Sequence, residues 1–358
     1  MLAAVQAISA ALGAVSRKGL EDCVRSRFGR GWALVAMLSV VVVGILTLAA
    51  DLEGGASAVH LIVGGDYRWY ILPFAAGTGA LLVWGRYDTI ENILKYFALV
   101  FLAYIASAFA SKPDWGHILR DTLIPHWHWT SAYISGIIAL LGTTLTAYAY
   151  VWETIETSHD RPPLRRLGLV QVDAALGIVI AGMTFFFIVI ATGATLGAAH
   201  KDVETAQDAA EALRPIAGQF ASVLFGTGLL ASALLAVPVL AGTNAYVMAE
   251  MFGWRASLDA KFARARPFYQ SLLLSVATAT AIAYAGVSPI KLLFFSSIAG
   301  GIATPITLTL MLLVAGDKRV MGRHPVRGPL LIAGWAVNVV VVAACALYFY
   351  QLATGAGS

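Results

Sequence analysis

Long apolar stretches alternate with short polar loops along almost the whole chain of 358 residues. Most of these stretches reach the roughly 20 residues that an α-helix needs to cross a bilayer. The pattern therefore predicts an all-α membrane protein with about nine full spans and a partial span at the amino terminus. The apolar stretches are residues 1–15, 32–52, 69–84, 92–111, 131–157, 169–197, 216–250, 268–286, 289–315 and 328–352.

Composition supports a membrane location. Hydrophobic residues make up 59% of the chain and charged residues only 12%, whereas soluble domains contain roughly 25% charged residues. We therefore treat residues 1–358 as a single transmembrane domain that has the lipid bilayer as its surroundings. Cys23 and Cys345 lie far apart in the predicted topology, so they do not suggest a disulfide framework.

Most of the 24 basic residues lie in alternate loops. Such loops face the cytoplasm in membrane proteins, so the pattern predicts the orientation of a multi-pass protein of the cell membrane. The net charge of +4 thus reflects topology rather than nucleic-acid binding, and no obligatory protein partner is evident. The basic loops contain Arg17, Lys18, Arg25, Arg27, Arg30, Arg86, Arg161, Arg165, Arg166, Arg255, Lys261, Arg264, Arg266, Lys318, Arg319, Arg323 and Arg327.

The first apolar stretch is too short to span. About 15 residues of helix cover roughly 22 Å, against about 30 Å of hydrocarbon. The stretch also lacks the basic start and small-residue cleavage site of a signal peptide. Two interpretations remain open: the chain is truncated, or its first stretch lies in the membrane interface.

The segment 131–157 contains a run of hydroxyl residues that begins with Gly142 and ends with Tyr148. Irregular backbone at membrane depth occurs where protein or a water-filled cavity satisfies the freed polar groups, so the run indicates an ion or substrate site. The alternative is a complete helix whose threonines bond back to carbonyls one turn earlier. Gly300, Gly301 and Pro305 form a second weak point, either a hinge or a site of close packing.

Acidic residues near the apolar segments are candidates for a proton or ion pathway. Asp51 and Glu53 follow an apolar run that ends at Ala50. They either lie within the membrane, where carboxylates are functional candidates, or follow the end of the span and are solvated. Glu153 and Glu156 either line an inner vestibule or form a solvated helix end.

His126 and His128 precede the segment 131–157 and alternate with tryptophans. The alternation favours an interfacial aromatic belt over metal ligation, because no second ligand cluster accompanies them. Paired histidines within the spans are absent from the sequence, which argues against a haem or quinone enzyme. We do not expect an enzyme.

Several segments resemble the Nramp-related divalent metal transporters. GTTLTAYAYVWETIE, residues 142–156, is similar to the discontinuous sixth helix of that family. AVPVLAGTNAYVMAEMFGW resembles its eighth helix, and GVSPIKLLFFSS and VAGDKRVMG resemble the start and end of its tenth. AVQAISAALG, residues 4–13, resembles the inner end of its second helix.

This resemblance implies a leucine-transporter-like bundle of two inverted repeats of five helices. Residues 1–111 would form an incomplete first repeat, residues 131–315 the second repeat, and residues 328–352 an extra helix. The family's opening helix carries an Asp-Pro-Gly-Asn-type element that provides most of the metal ligands. That element does not occur in this sequence.

The resemblance also assigns candidate ligands. Thr143 matches the position of a ligating backbone carbonyl, and Thr146 matches that of a methionine thioether. Because hydroxyl and carbonyl oxygens suit hard ions, Mn²⁺ or Mg²⁺ is favoured; alternatively, Thr146 is a helix-packing hydroxyl. Tyr148 stands where the classical family has a histidine, and Asp51 matches an aspartate of its proton route. Residues 268–286 contain no charge, so the resemblance does not imply proton coupling.

The sequence thus predicts a secondary transporter that moves a divalent cation inward by alternating access, with the ion as cargo and no resident cofactor. Two alternatives stay open. One is a truncated or non-transporting membrane protein that keeps the bundle, and the other is a transporter of an organic solute such as an amino acid.

Overall fold

The protein is a bundle of α-helices. The computed structural model describes residues 1–84, 102–124, 129–198, 203–258, 260 and 262–354. We number the helices of nine or more residues in chain order: α1 Leu2–Ser16, α2 Leu20–Phe28, α3 Arg30–Val63, α4 Arg68–Trp84, α5 Leu102–Ala110, α6 Trp115–Leu123, α7 Ser131–Thr144, α8 Ala147–Asp160, α9 Leu167–Thr192, α10 Ala221–Phe252, α11 Arg266–Ala283, α12 Pro289–Gly316 and α13 Pro329–Thr354.

Six helical segments in the described parts of the chain are long and apolar enough to cross a membrane. The predicted number of about nine spans therefore stays a prediction, and part of the stretch 92–111 lies outside the described residues. The six segments are Arg30–Val63, Ser131–Asp160, Leu164–Gly197, Ala206–Phe252, Pro289–Gly316 and Pro329–Thr354.

The long helices α3 and α10 form the most extensive contact of the bundle, and α11 packs on both. On the other side, α1 packs on α8 and α9. Helix α12 contacts α3 and α7, and α13 covers α12. Helix α12 thus lies between the two groups of helices.

Glycines allow the closest helix crossings. A Cβ atom at Gly13 of α1 would lie 2.3 Å from the carbonyl oxygen of Thr154 in α8. One at Gly44 of α3 would lie 2.2 Å from Oδ1 of Asn244 in α10. Membrane helices depend on such small residues because lipid removes the hydrophobic drive for helix association, so close backbone packing must provide the attraction.

Among the described residues, basic side chains of α2 and of the turn before it contact the ends of α8, α10 and α12 at one end of the bundle. Arg17 donates to the carbonyl oxygen of Pro162 at 2.7 Å, and Arg25 donates to that of Met251 at 3.1 Å. Arg27 forms an ion pair with Asp317. These contacts join the loops after α1, α8, α10 and α12, which we call the basic end of the bundle.

The thiols of Cys23 and Cys345 are both buried and are not joined to each other. Cys23 lies in α2 at the basic end, and Cys345 lies in α13, where its Sγ contacts the carbonyl oxygen of Gly301 at 3.3 Å. The two cysteines form no disulfide, as predicted.

Candidate functional site

The helical segment 131–160 is interrupted at two residues. Helix α7 ends at Thr144 and α8 begins at Ala147. Between them, Leu145 has φ −110° and ψ 33°, and Thr146 is extended with φ −63° and ψ 134°. A helix leaves its last carbonyls and its first amides without intrahelical partners. The end carbonyls of α7 and the first amides of α8 therefore both lie beside this interruption.

The interruption does not lie at Gly142, where the sequence predicted the helix to break. Gly142 is buried within α7. A Cβ atom there would lie 1.8 Å from the carbonyl oxygen of Ser297 and 2.4 Å from the amide nitrogen of Gly301. Gly142 is therefore required by the close approach of α12, and not by a change of backbone direction.

Helix α12 is continuous through Gly300, Gly301 and Pro305, so the second weak point is a site of close packing and not a break. A proline removes the amide that would bond to the carbonyl four residues earlier, here that of Gly301. The Sγ of Cys345 contacts this same carbonyl at 3.3 Å, which compensates for the missing amide and leaves the helix intact.

Two threonines of α12 hold the interrupted helix. The buried hydroxyl of Thr304 lies 2.8 Å from the carbonyl oxygen of Leu145, and also 2.8 Å from that of Gly300. One turn further on, the Thr307 hydroxyl forms a short hydrogen bond with the Tyr150 hydroxyl. The sequence pattern did not indicate these residues as part of a site. The one available signal was the spacing of three between Thr304 and Thr307, which places both on one helix face.

The three residues proposed as cation-facing differ in exposure. Thr146 is buried, with 7% of its surface exposed, and its side chain does not cap α8. Thr143 is exposed in the last turn of α7, and Tyr148 is partly buried in the first turn of α8. Thr144 bonds back to the carbonyl oxygen of Leu140 at 2.7 Å, so the back-bonding alternative holds for this threonine.

Helix α3 continues past Ala50 to Val63, so the interpretation in which the span ends at Ala50 and leaves two solvated carboxylates is wrong. Asp51 lies deep in the bundle and close enough to the Tyr148 hydroxyl to act on it electrostatically. Both residues are only partly buried. Asp51 is therefore a carboxylate near the first turn of α8.

Glu53 lies elsewhere. Residues two apart on a helix point in different directions, and the Glu53 carboxylate lies beside Tyr67 and Arg68 at the start of α4. It is completely buried. The structure thus separates Glu53 from the Asp51 and Tyr148 pair.

Glu153 is tied to α1. It accepts a hydrogen bond from Nε2 of Gln6 at 3.1 Å and another from the hydroxyl of Thr157 at 3.1 Å. Glu153 is partly buried, whereas Glu156 is exposed. Glu153 is therefore part of a helix contact below the interruption and not a solvated helix end.

Within the described parts of the chain, no three His, Cys, Asp or Glu side chains lie close enough together to hold a metal ion. His126 and His128 lie outside the described residues. The groups gathered at the interruption are therefore hydroxyls, backbone carbonyls and the single carboxylate of Asp51.

Comparison with known proteins identifies the family. The model of the family described as natural resistance-associated macrophage protein-like (Nramp) matches residues 1–351. The chain belongs to the Nramp family. It is therefore a multi-pass transporter of the cell membrane and not an enzyme, as the sequence predicted.

Curated relatives of this Nramp protein match almost its whole length. A Deinococcus radiodurans protein named Divalent metal cation transporter MntH is 25% identical over 370 residues, which cover 99% of this chain and 81% of that protein. A Ralstonia nicotianae protein of the same name is 28% identical over 381 residues, covering 98% and 81%.

Solved structures show the same fold. The Eremococcus coleocola manganese transporter, in complex with an aromatic bis-isothiourea substituted compound, superposes with a TM-score of 0.71 at 17% identity. The match covers 98% of this chain and 77% of that one. It confirms the predicted leucine-transporter-like fold of this Nramp family member.

Proposed function

We propose that this Nramp protein moves a hard divalent cation, Mn²⁺ or Mg²⁺, into the cell by alternating access. The observation that carries the proposal is the interruption at Leu145 and Thr146. It brings helix-end carbonyls, a buried hydroxyl and helix-end amides together within the apolar segment Ser131–Asp160. Such interrupted helices form the ion and substrate sites of secondary transporters.

The donor chemistry favours a hard ion. The Thr143 carbonyl and the Thr146 hydroxyl are oxygen donors, and Mg²⁺ and Mn²⁺ prefer oxygen ligands over thioether sulfur. The carboxylate of Asp51, which acts electrostatically on Tyr148 in the first turn of α8, would supply negative charge near these donors. Asp51 and Tyr148 thus belong to the proposed ion path, and Glu153 lies further along it, in the contact of α8 with α1.

The names of the relatives support divalent metals as the class of cargo, since two of them are named divalent metal cation transporters and one is a manganese transporter. In this proposal the cation is the transported substrate, so the protein needs no resident cofactor. Residues 131–315 would form one repeat of the transport domain, with α13 outside it.

Uptake into proteoliposomes tests the proposal. Vesicles that contain the purified protein and a metal-quenched dye should lose fluorescence when Mn²⁺ is added outside, and excess Mg²⁺ should compete if both ions use one site. Thr146→Ala should weaken the apparent Mn²⁺ affinity. Thr144→Ala is the matched control, because the Thr144 hydroxyl already bonds to Leu140 within α7.

A flux no greater than that of protein-free vesicles would contradict the proposal and favour a non-transporting protein. If an amino acid were taken up and Mn²⁺ were not, the cargo would be an organic solute. An unchanged Mn²⁺ affinity in Thr146→Ala would assign this hydroxyl to helix packing.

A further inference from the structure

The basic end of the bundle contains a buried pair of carboxyl groups. Glu21 is in the first turn of α2, and Glu250 is in the last turn of α10. The two side chains are close enough to share a hydrogen bond. Glu21 is completely buried. Glu250 is partly buried and lines a cavity of about 380 Å³.

The pair has almost no donors. Neither oxygen of Glu21 has a donor in hydrogen-bond geometry, and Glu250 accepts one long bond, 3.4 Å from the amide of Asp22. The Glu250 carboxylate also lies against Gly19, where a Cβ atom would be 1.9 Å from Oε1. Two ionised carboxylates in this position would therefore repel each other without compensation.

The neighbouring charged groups do not neutralise the pair. Arg25 of α2 bonds to Asp22 at 2.6 Å and to the carbonyl oxygen of Met251 at 3.1 Å. In the turn between α1 and α2, Arg17 bonds to the carbonyl oxygen of Pro162, and Lys18 is exposed. His159 of α8 and Arg161 of the turn after it also line the cavity beside Glu250.

Helices α8 and α12 also approach the pair. Tyr150 of α8, which bonds to Thr307 of α12, lies within electrostatic range of Glu21. Burial raises the pKa of the Glu21 carboxyl from 4.5 to about 7. A buried carboxyl whose partner is a second carboxyl is stable when one proton is shared between the two.

We propose that Glu21 and Glu250 form a proton-binding site, reached from the cavity at the basic end, and that its proton holds α2 against the end of α10. With the proton bound, one carboxyl donates to the other. When the proton leaves to water in the cavity, two negative charges face each other and α2 separates from α10. Helix α2 joins α1 to α3, and α1 packs against α8. The site therefore acts on α1.

The proposal concerns a proton site and does not rest on the identity of the transported ion. Its test is hydrogen exchange of residues 20–28, measured by mass spectrometry on the full chain in nanodiscs from about pH 5 to about pH 8.5 and corrected for intrinsic exchange. Protection should be greatest near the pKa of a separated carboxyl and fall by up to about tenfold for each pH unit as the pH rises from there to the pKa of the pair. Above the pKa of the pair it should level off, because the proton has then been lost from both the packed and the separated state.

Glu21→Gln and Glu250→Gln should each reduce this pH dependence, and the double variant should remove it, since an amide donates as the protonated acid does and cannot lose that proton. Asp160→Asn is the matched control, because Asp160 is an exposed carboxylate at the basic end, and its profile should equal that of the wild type. Infrared difference spectra should show a protonated carboxyl band that is lost at high pH in the wild type and absent in the double variant.

Three results would overturn the proposal. The first is a wild-type exchange profile of residues 20–28 that does not depend on pH. This result is obtained without any variant, so it does not depend on whether a variant folds. The second is a pH dependence of the double variant that equals that of the wild type. The third is protection of α2 by Mn²⁺ at about pH 8.5 in the wild type and not in Glu21→Gln, which would make the pair a cation site instead.

Discussion

The Thr304 hydroxyl of α12 donates a hydrogen bond to the carbonyl oxygen of Leu145, 2.8 Å away, at the interruption between α7 and α8. The two residues are 159 positions apart in the chain. The bond is buried, and it satisfies a carbonyl that the change of backbone direction removes from the helix pattern. The interruption thus depends on α12 as well as on its own sequence.

Replacing Thr304 should show this dependence. Thr304→Val removes the hydroxyl with little change of shape and leaves the Leu145 carbonyl unsatisfied, at a cost of about 1–3 kcal/mol. We expect a lower temperature of thermal unfolding in detergent and a lower maximal rate of Mn²⁺ uptake. Thr304→Ser keeps the hydroxyl and should behave like the wild type. Equal unfolding temperatures for the valine and serine variants would show that the bond does not stabilise the fold.

Gly142→Ala should prevent correct packing of α7 on α12. The new methyl group would lie 1.8 Å from the backbone oxygen of Ser297, and backbone cannot move aside as a side chain can, so the cost should reach about 3 kcal/mol or more. The measurement is the fraction of extracted protein that elutes as a monodisperse peak. Gly136→Ala is the control on the same helix, since a Cβ atom there meets nothing within 4 Å. Similar yields of the two variants would contradict the close crossing.

The ion pair between Arg27 and Asp317 should make stability depend on pH in the acid range. Arg27 lowers the pKa of the Asp317 carboxyl below 3.8. A lowered pKa stabilises the folded state above the unfolded value, and this contribution disappears as the pH falls through the folded value. Arg27→Gln should therefore lower stability at neutral pH and reduce the acid-induced loss below about pH 4.

The check is the unfolding temperature of the wild type and of Arg27→Gln across this pH range. Arg30→Gln, which changes an exposed neighbouring charge, serves as the control and should keep the wild-type profile. A wild-type profile in Arg27→Gln would show that the pair contributes nothing measurable.

Cys23 should be unreactive while α2 is packed. Burial raises the pKa of the Cys23 thiol to about 12, and the thiolate is the reactive form. In a Cys345→Ser background, maleimide labelling of Cys23 at about pH 6 should be at least about 100-fold slower than in the denatured chain. Rapid labelling of the folded protein would show that α2 is not held in this position.

The sequence by itself determined the membrane surroundings and the family, and it predicted the orientation. Apolar length reflects the thickness of the bilayer, and the alternation of basic loops predicted which loops meet at one end. Segments such as residues 142–156 predicted the Nramp family and its fold. These properties depend on local composition or on contiguous motifs, so they can be read without coordinates.

Only the tertiary structure decided how the candidate site is built. It placed the interruption at Leu145 and Thr146, because Gly142 is needed where α12 crosses α7 and the Thr304 hydroxyl donates to the carbonyl oxygen of Leu145. It also extended α3 past Asp51, and it paired Glu21 with Glu250. Each of these results depends on contacts between helices that are distant in the chain. Propensity and periodicity describe one helix at a time and do not contain such contacts.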